Sequence, residues 1–266
     1  MASMTSAVTL LATKGLSRHF GGLRAVDNVS FELARGEVRA IIGPNGAGKS
    51  TFVGLICGRI APSAGRIVFE GHDITELPAH RRVGLGIAYT FQITSIYGNL
   101  SVYDNVALAA QSAMRRDGVR PHTPAVADES APMGTRDLAL SSELDRRVAD
   151  ALDRVGLAGR RGVKASTLAY GHQRLLEVAM GLALAPKLLV LDEPTQGLSD
   201  AEIAAFCDLI RAIAKDATVL LIEHNMDVVM QLAGRITVLS NGAILAEGTP
   251  AEIRADAAVQ RAYLGT

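Results

Sequence analysis

Residues 37–51 read "EVRAIIGPNGAGKST". An apolar, strand-like run from Val38 to Ile42 gives way to three glycines and then to a helix-friendly segment, and Gly43, Gly48, Lys49 and Ser50 satisfy the spacing G-x-x-x-x-G-K-[ST]. Glycines in such a loop let backbone N–H groups converge on phosphate oxygens, and the following helix N-terminus adds positive potential. The expected cradle is Gly43, Pro44, Asn45, Gly46, Ala47, Gly48, Lys49, Ser50 and Thr51. Lys49 is expected to reach the β and γ phosphates and the Ser50 hydroxyl to ligate Mg2+, while Thr51, one residue deeper, supports the turn or an α-phosphate. A chance match in a chain of this length arises roughly once in a hundred. Its placement between strand and helix makes chance a poorer account still.

Outward from that loop, "KLLVL" (187–191), "TVLLI" (218–222) and "RITVL" (235–239) are further apolar runs without polar alternation. Such runs read as strands buried on both faces, and the helical spacers between them imply a parallel sheet with crossover helices, an α/β core. Near the N-terminus "VTLLA", "NVSFEL" and "GRIVFEG" add strands punctuated by glycine, and "SNGAILAEG" (240–248) places Asn-Gly between two strand patterns as a hairpin turn. These predict an antiparallel flank. From 93 to 186 the pattern is mostly helical, interrupted over 115–137 by three prolines, two glycines and mixed charges, which predict an irregular surface insertion. The simplest partition is one domain, with residues 1–92 and 187–266 forming the core and its β flank around a helical subdomain at 93–186.

With 266 residues, 48% of them hydrophobic, the chain can bury a full core, so disorder is excluded for most of it. Twenty-seven basic residues balance twenty-seven acidic ones, and no broad field points to nucleic acid. No secretion signal or run of 18 apolar residues occurs, so a cytoplasmic location is expected. Cys57 and Cys207, both in apolar helical contexts, read as buried thiols rather than a disulfide or metal site.

Candidate chemistry gathers at strand ends. "LLVLDEP" puts Asp192 and Glu193 at the carboxyl end of a buried strand, where open α/β sheets bind ligands. Asp192 suits a carboxylate holding Mg2+ through water, and Glu193 suits a base for the water attacking a γ-phosphate. "TVLLIEH" brings His224 to the same edge, where it can hydrogen-bond the γ-phosphate; His19, His72, His80 and His122 read as structural. Gln92, in "AYTFQ", stands where strand gives way to helix and can touch Mg2+ or the attacking water. Phe20, in "SRHFGG", is a candidate to stack on adenine, with ordinary core packing as the alternative.

Taken in order, "GPNGAGKST", Gln92, "LLVLDEP" and His224 resemble the nucleotide-binding subunits of ABC transporters over essentially the whole chain. "RHFGGLRAVDNVSFEL", "YTFQ", "LAYGHQRLLEVA", "LLIEHNMDVVM" and the terminal "RAYLG" are most similar to the ATP-binding subunits of branched-chain amino acid importers. That resemblance implies ATP and Mg2+ as ligands and ATP hydrolysis coupled to transport. It also gives "LAYGH" a meaning: Leu168, Ala169, Tyr170, Gly171 and His172 occupy the place of the family's LSGGQ signature, which faces the ATP of a partner subunit. Ala169 replaces the serine, a loss of about 0.5 to 1.5 kcal/mol for a neutral hydrogen bond, while backbone N–H groups at the helix start remain. A second departure is "TQGLSD", where Ser199 stands in place of the family's D-loop aspartate and Asp200 follows it.

The resemblance further implies a second ABC ATPase subunit closing head to tail on this one, two integral membrane permease subunits, indirectly a solute-binding protein, and a position on the inner face of the cell membrane. Because the signature serves the opposite site, its altered letters predict a pair of unlike halves, with a homodimer as the alternative. Urea, lipid or lipopolysaccharide transport, and a soluble non-transport ABC ATPase, are the competing readings. The soluble rival usually carries tandem cassettes or long coiled coils, and this chain shows neither.

Overall fold

The structure, a computed structural model, describes residues 8–90, 95–117 and 135–264. One unit comprises residues 1–92 and 187–266, a second residues 93–186. In chain order the elements are β1 (Thr9–Phe20), β2 (Leu23–Ala34), β3 (Val38–Ile42), α1 (Lys49–Ile56), β4 (Ala64–Phe69), β5 (His72–Asp73), α2 (Ala79–Leu85) and β6 (Ile87–Thr90). The second unit supplies α3 (Val102–Arg116), α4 (Thr135–Arg154) and α5 (Tyr170–Ala183). The chain then returns through β7 (Leu188–Asp192), α6 (Asp200–Ile213), β8 (Thr218–Ile222), α7 (Met226–Leu232), β9 (Arg235–Ser240), β10 (Ala243–Gly248), α8 (Pro250–Ala255) and α9 (Ala257–Leu264).

The continuous apolar runs do become the central strands. The larger sheet has the order β10-β9-β3-β8-β7-β6, with every neighbouring pair parallel except β9–β10. All five residues of β7 and all five of β8 are buried, as expected of strands covered on both faces. Alternation along β3 divides two cores: Ile41 faces a cluster with Phe52 and Leu55 of α1, whereas Ala40 and Ile42 face Val229, Ile236 and Ile253. The antiparallel flank has the order β2-β1-β4-β5, and its Phe31, Leu33 and Phe69 join α1 in the first cluster. Helix α1 is thereby held between two sheets, and its Phe52 ring meets Phe31 edge-on with centroids 5.5 Å apart.

The Asn-Gly turn between β9 and β10 adopts positive φ at Asn241 (49°) and Gly242 (80°), the backbone that suits the twist of a two-residue hairpin. In the second unit, Ser101 caps α3 in a reciprocal box with Asp104. The fully buried Asn105 amide donates to the carbonyls of Tyr97 and Ser101 and accepts from the Tyr97 N–H, fixing the approach to that helix. The irregular segment expected over 115–137 is helical at both of its ends. Helix α3 continues through Arg116, whose guanidinium bonds the Leu184 carbonyl and Asp117, and α4 begins at Thr135; residues 118–134 lie outside the described residues. Both cysteines are buried, and burial pushes the Cys57 thiol up to about 12. Among the described residues no helix is long and apolar enough to cross a membrane.

Candidate functional site

Parallel pairing decides which residues meet. Register places Ile41 of β3 beside Ile222 of β8, and Ile222 beside Asp192 of β7. The loops that follow these strands therefore leave from one sheet edge: Gly43 onward after β3, Glu223 onward after β8, Glu193 onward after β7. This is the carboxyl edge of a parallel sheet, the customary ligand side of such folds.

Two glycines of the phosphate loop are required by close packing. A Cβ on Gly48 (φ 96°) would stand 2.1 Å from the Ala25 carbonyl oxygen, and one on Gly43 2.2 Å from the Leu239 carbonyl oxygen. The loop is thus wedged between the start of β2 and the end of β9. Gly48 is the N-cap of α1, which has no side-chain cap and no acidic residue in its first turn, so its N-terminal N–H groups and positive dipole end stay uncompensated. Lys49, only 6% exposed, donates from Nζ to the carbonyls of Gly43 (2.7 Å) and Pro44 (3.0 Å). Burial lowers its pKa, opposed by the nearby carboxylates of Glu193 and Asp192. Ser50 is exposed and Thr51 half-buried.

Asp192 is 3% exposed; its Oδ2 accepts the Tyr89 hydroxyl at 2.7 Å, while its buried Oδ1 has no hydrogen-bond partner among the described residues. Desolvation raises its pKa, with the Tyr89 hydrogen bond acting in the opposite sense. An unsatisfied buried carboxylate oxygen beside a phosphate loop fits a hydrated cation, which supplies the missing partner. Among the described residues no group of three His, Cys, Asp or Glu could hold a metal ion. A single buried carboxylate oxygen beside this loop suits Mg2+ whose remaining ligands would be phosphate and water.

Glu193 leaves the strand with φ 47°, a left-handed conformation uncommon for a residue with Cβ. Its N–H still bonds the Ile222 carbonyl at 2.9 Å, and its Oε1 lies 2.8 Å from Nε2 of His224. With the carboxylate as acceptor, the imidazole donates through Nε2. The glutamate side chain is 14% exposed and the histidine 42%, so the pair opens toward solvent.

Phe20 ends β1 beside the Gly21-Gly22 turn, 44% exposed, with the Arg18 guanidinium 4.5 Å from its ring centroid; it is not a core residue. Its hairpin partner Leu23 is two residues from Ala25, whose carbonyl abuts the phosphate loop. Gln92 lies outside the described residues. In the second unit, buried Leu168 precedes the exposed N-cap Ala169, after which Tyr170, Gly171 and His172 open α5 with no side-chain cap. Gln173 bonds back to the Leu168 carbonyl at 2.9 Å. Ser199 caps α6 in a reciprocal box with Glu202, so the serine in place of the D-loop aspartate has a local structural role.

Three residues gain importance only here. Tyr89 fixes one oxygen of Asp192. Arg82, 1% exposed, caps the end of α1 through the Leu55 and Ile56 carbonyls. Glu223 binds the loops after β7 and β8 together. A carboxylate directly after a wholly apolar strand was the one visible sign, and it applied to Glu223 alone.

Comparison with known proteins shows the family. Residues 26–196 match the ABC transporter family, and residues 243–266 match the branched-chain amino acid ATP-binding cassette transporter family. The chain is 40% identical to the high-affinity branched-chain amino acid transport ATP-binding protein LivG of Salmonella typhimurium, over 96% of this chain and 98% of that protein. It is 35% identical to the corresponding protein BraF of Pseudomonas aeruginosa with the same coverage. A solved nucleotide-free ATP-binding cassette from an ABC transporter superposes with a TM-score of 0.79 at 27% identity, covering 97% of this chain and all of that one. Its loops, strand order and relatives together place the chain in the family of ABC transporter ATP-binding subunits.

Proposed function

We propose that this chain binds ATP on the Gly43–Thr51 loop, hydrolyses it with Glu193 and His224, and thereby drives import of branched-chain or other amino acids. The observation that carries the reading is the delivery of Lys49, Asp192, Glu193 and His224 to one sheet edge by adjacent parallel strands. Backbone N–H groups of the loop and the α1 N-terminus hold the phosphate chain, and the Lys49 ammonium exchanges the Gly43 and Pro44 carbonyls for β and γ oxygens. Phe20 offers an exposed face to the adenine ring.

Glu193 orients the attacking water and accepts its proton, the in-line geometry being imposed by the held triphosphate. His224 donates a hydrogen bond to the γ-phosphate as charge redistributes over its oxygens. Ser50 and Asp192, with Gln92, are the residues to hold Mg2+, whose charge would neutralise phosphate oxygens. The α5 N-terminus, with Leu168 to His172, serves the ATP of a facing ATPase subunit through backbone N–H groups, since Ala169 brings no hydroxyl.

ATP binding favours a closed pair of subunits and hydrolysis reopens it, a change that two integral membrane permeases convert into substrate movement. The facing ATPase is a related chain rather than a second copy, a solute-binding protein delivers cargo, and the subunit sits on the cytoplasmic face of the membrane. Calorimetry tests the foundation: Lys49→Ala is expected to abolish tight ATP binding, and wild-type affinity in that variant would remove the phosphate loop from its place. Purification of tagged protein from detergent-solubilised membranes is expected to bring two permeases and a second ATPase. Recovery from the soluble fraction without companions would contradict the transport assignment.

A further inference from the structure

We infer that Glu223 is a positioning residue for ATP hydrolysis, holding the Glu193–His224 pair in register by tying together the two loops that carry it. The inference rests on the ATP-hydrolysing reading of the site. Glu223 follows the last residue of β8 and is 3% exposed. One of its oxygens accepts the Thr195 N–H at 3.0 Å and the Thr195 hydroxyl; the other accepts the N–H groups of His224 at 2.9 Å and Asn225 at 3.1 Å. All four donors are uncharged, and a carboxylate, acceptor at both oxygens, satisfies them together. Burial of a carboxylate is costly unless it is hydrogen-bonded, so the bonds hold the two loops to this carboxylate as firmly as it holds them.

What is tied is informative. Thr195 stands two residues after Glu193 in a turn closed by Gln196 N–H to the Glu193 carbonyl (3.3 Å) and Leu198 N–H to the Thr195 carbonyl (3.2 Å). His224 and Asn225 form the other turn, and Asn225 caps α7 by accepting from the N–H groups of Asp227 and Val228. The staple therefore joins the two turns that carry the partners of the 2.8 Å contact between Glu193 Oε1 and His224 Nε2. Glu223 itself bonds three backbone N–H groups and the Thr195 hydroxyl. Its influence passes through the backbone at His224 and through the turn that follows Glu193.

A group that places His224 against a γ-phosphate affects ligands that have a γ-phosphate and leaves those that lack one. Glu223→Gln puts an amide NH2 against N–H donors and breaks half of the staple. Thr195→Val removes only the hydroxyl donor and keeps side-chain shape. Both are made in the full chain and titrated with ADP and with a non-hydrolysable ATP analogue, alongside phosphate release at saturating ATP.

For Glu223→Gln the expected result is ADP affinity within about two-fold of wild type, a roughly ten-fold loss for the ATP analogue, and phosphate release slowed at least about ten-fold. Thr195→Val is expected to shift the same quantities in the same direction by about three-fold. Parallel loss of ADP and analogue affinity in Thr195→Val, or wild-type phosphate release in Glu223→Gln, would overturn the inference. Failure of the wild-type chain itself to bind ATP would overturn the underlying function as well, and is distinguishable because it needs no variant.

Discussion

Asp192 carries the clearest conflict between stability and function. Its buried Oδ1 has no partner among the described residues, and desolvation raises its pKa above the ordinary value of 3.8. The folded state therefore binds a proton more tightly than the unfolded chain does. Stability from this group is fullest below 3.8 and declines as pH rises through the folded value, so at neutral pH the carboxylate is a net cost. Asp192→Asn keeps an acceptor for Tyr89 and removes the charge. In the absence of nucleotide it is expected to raise stability by about 1 kcal/mol at neutral pH and to give no gain in strong acid, read by denaturant unfolding. The same variant is expected to lose Mg2+-dependent phosphate release. Destabilisation by Asp192→Asn at neutral pH would show that Oδ1 is satisfied in a way the geometry does not display. Glu193 has a related character, because its left-handed backbone turns the side chain toward His224 at a conformational cost of about 1–3 kcal/mol.

Helix α1 shows how much of one element rests on residues far from it in sequence. Its start was legible: a glycine-lysine pattern after an apolar strand fixes both the loop and the helix that follows. Its end was legible only in part. Gly58 (φ 73°) closes the helix, with the Gly58 and Arg59 N–H groups returning to the Leu55 and Gly54 carbonyls, and Arg82, from α2, adds donors to the carbonyls of Leu55, Ile56, Thr75 and Leu77. Arg82→Met is expected to destabilise the protein by about 2–4 kcal/mol, lowering its melting temperature while leaving ADP contacts intact, because buried carbonyls lose their donors. Strands were readable for a simple reason: burial on both faces demands unbroken apolar runs, and Asn-Gly demands a hairpin. Tyr89 and Glu223 were unreadable in their roles because each depends on pairing between distant strands, Tyr89 reaching a residue 103 positions away. Likewise, Arg115 and Arg116 look like the opening of an irregular charged segment, yet they form the last turn of α3, where basic residues complement the helix dipole.

Across the whole chain, one sheet edge gathers the parts proposed to hold a triphosphate, and ligand binding should be felt as global stability. At a nucleotide concentration near one hundred times the dissociation constant, unfolding is expected to cost about 2.7 kcal/mol more than without ligand. Lys49→Ala should abolish that increment, its unfolding free energy being the same with and without nucleotide. Binding and hydrolysis are proposed as separable functions of one site, with Lys49 holding the phosphates and Glu193 activating water. Glu193→Gln tests it most directly, by ATP binding and single-turnover phosphate release measured on the same preparation. The expected result is ATP affinity close to wild type with phosphate release essentially abolished. Phosphate release at the wild-type rate, with ATP bound normally, would contradict it.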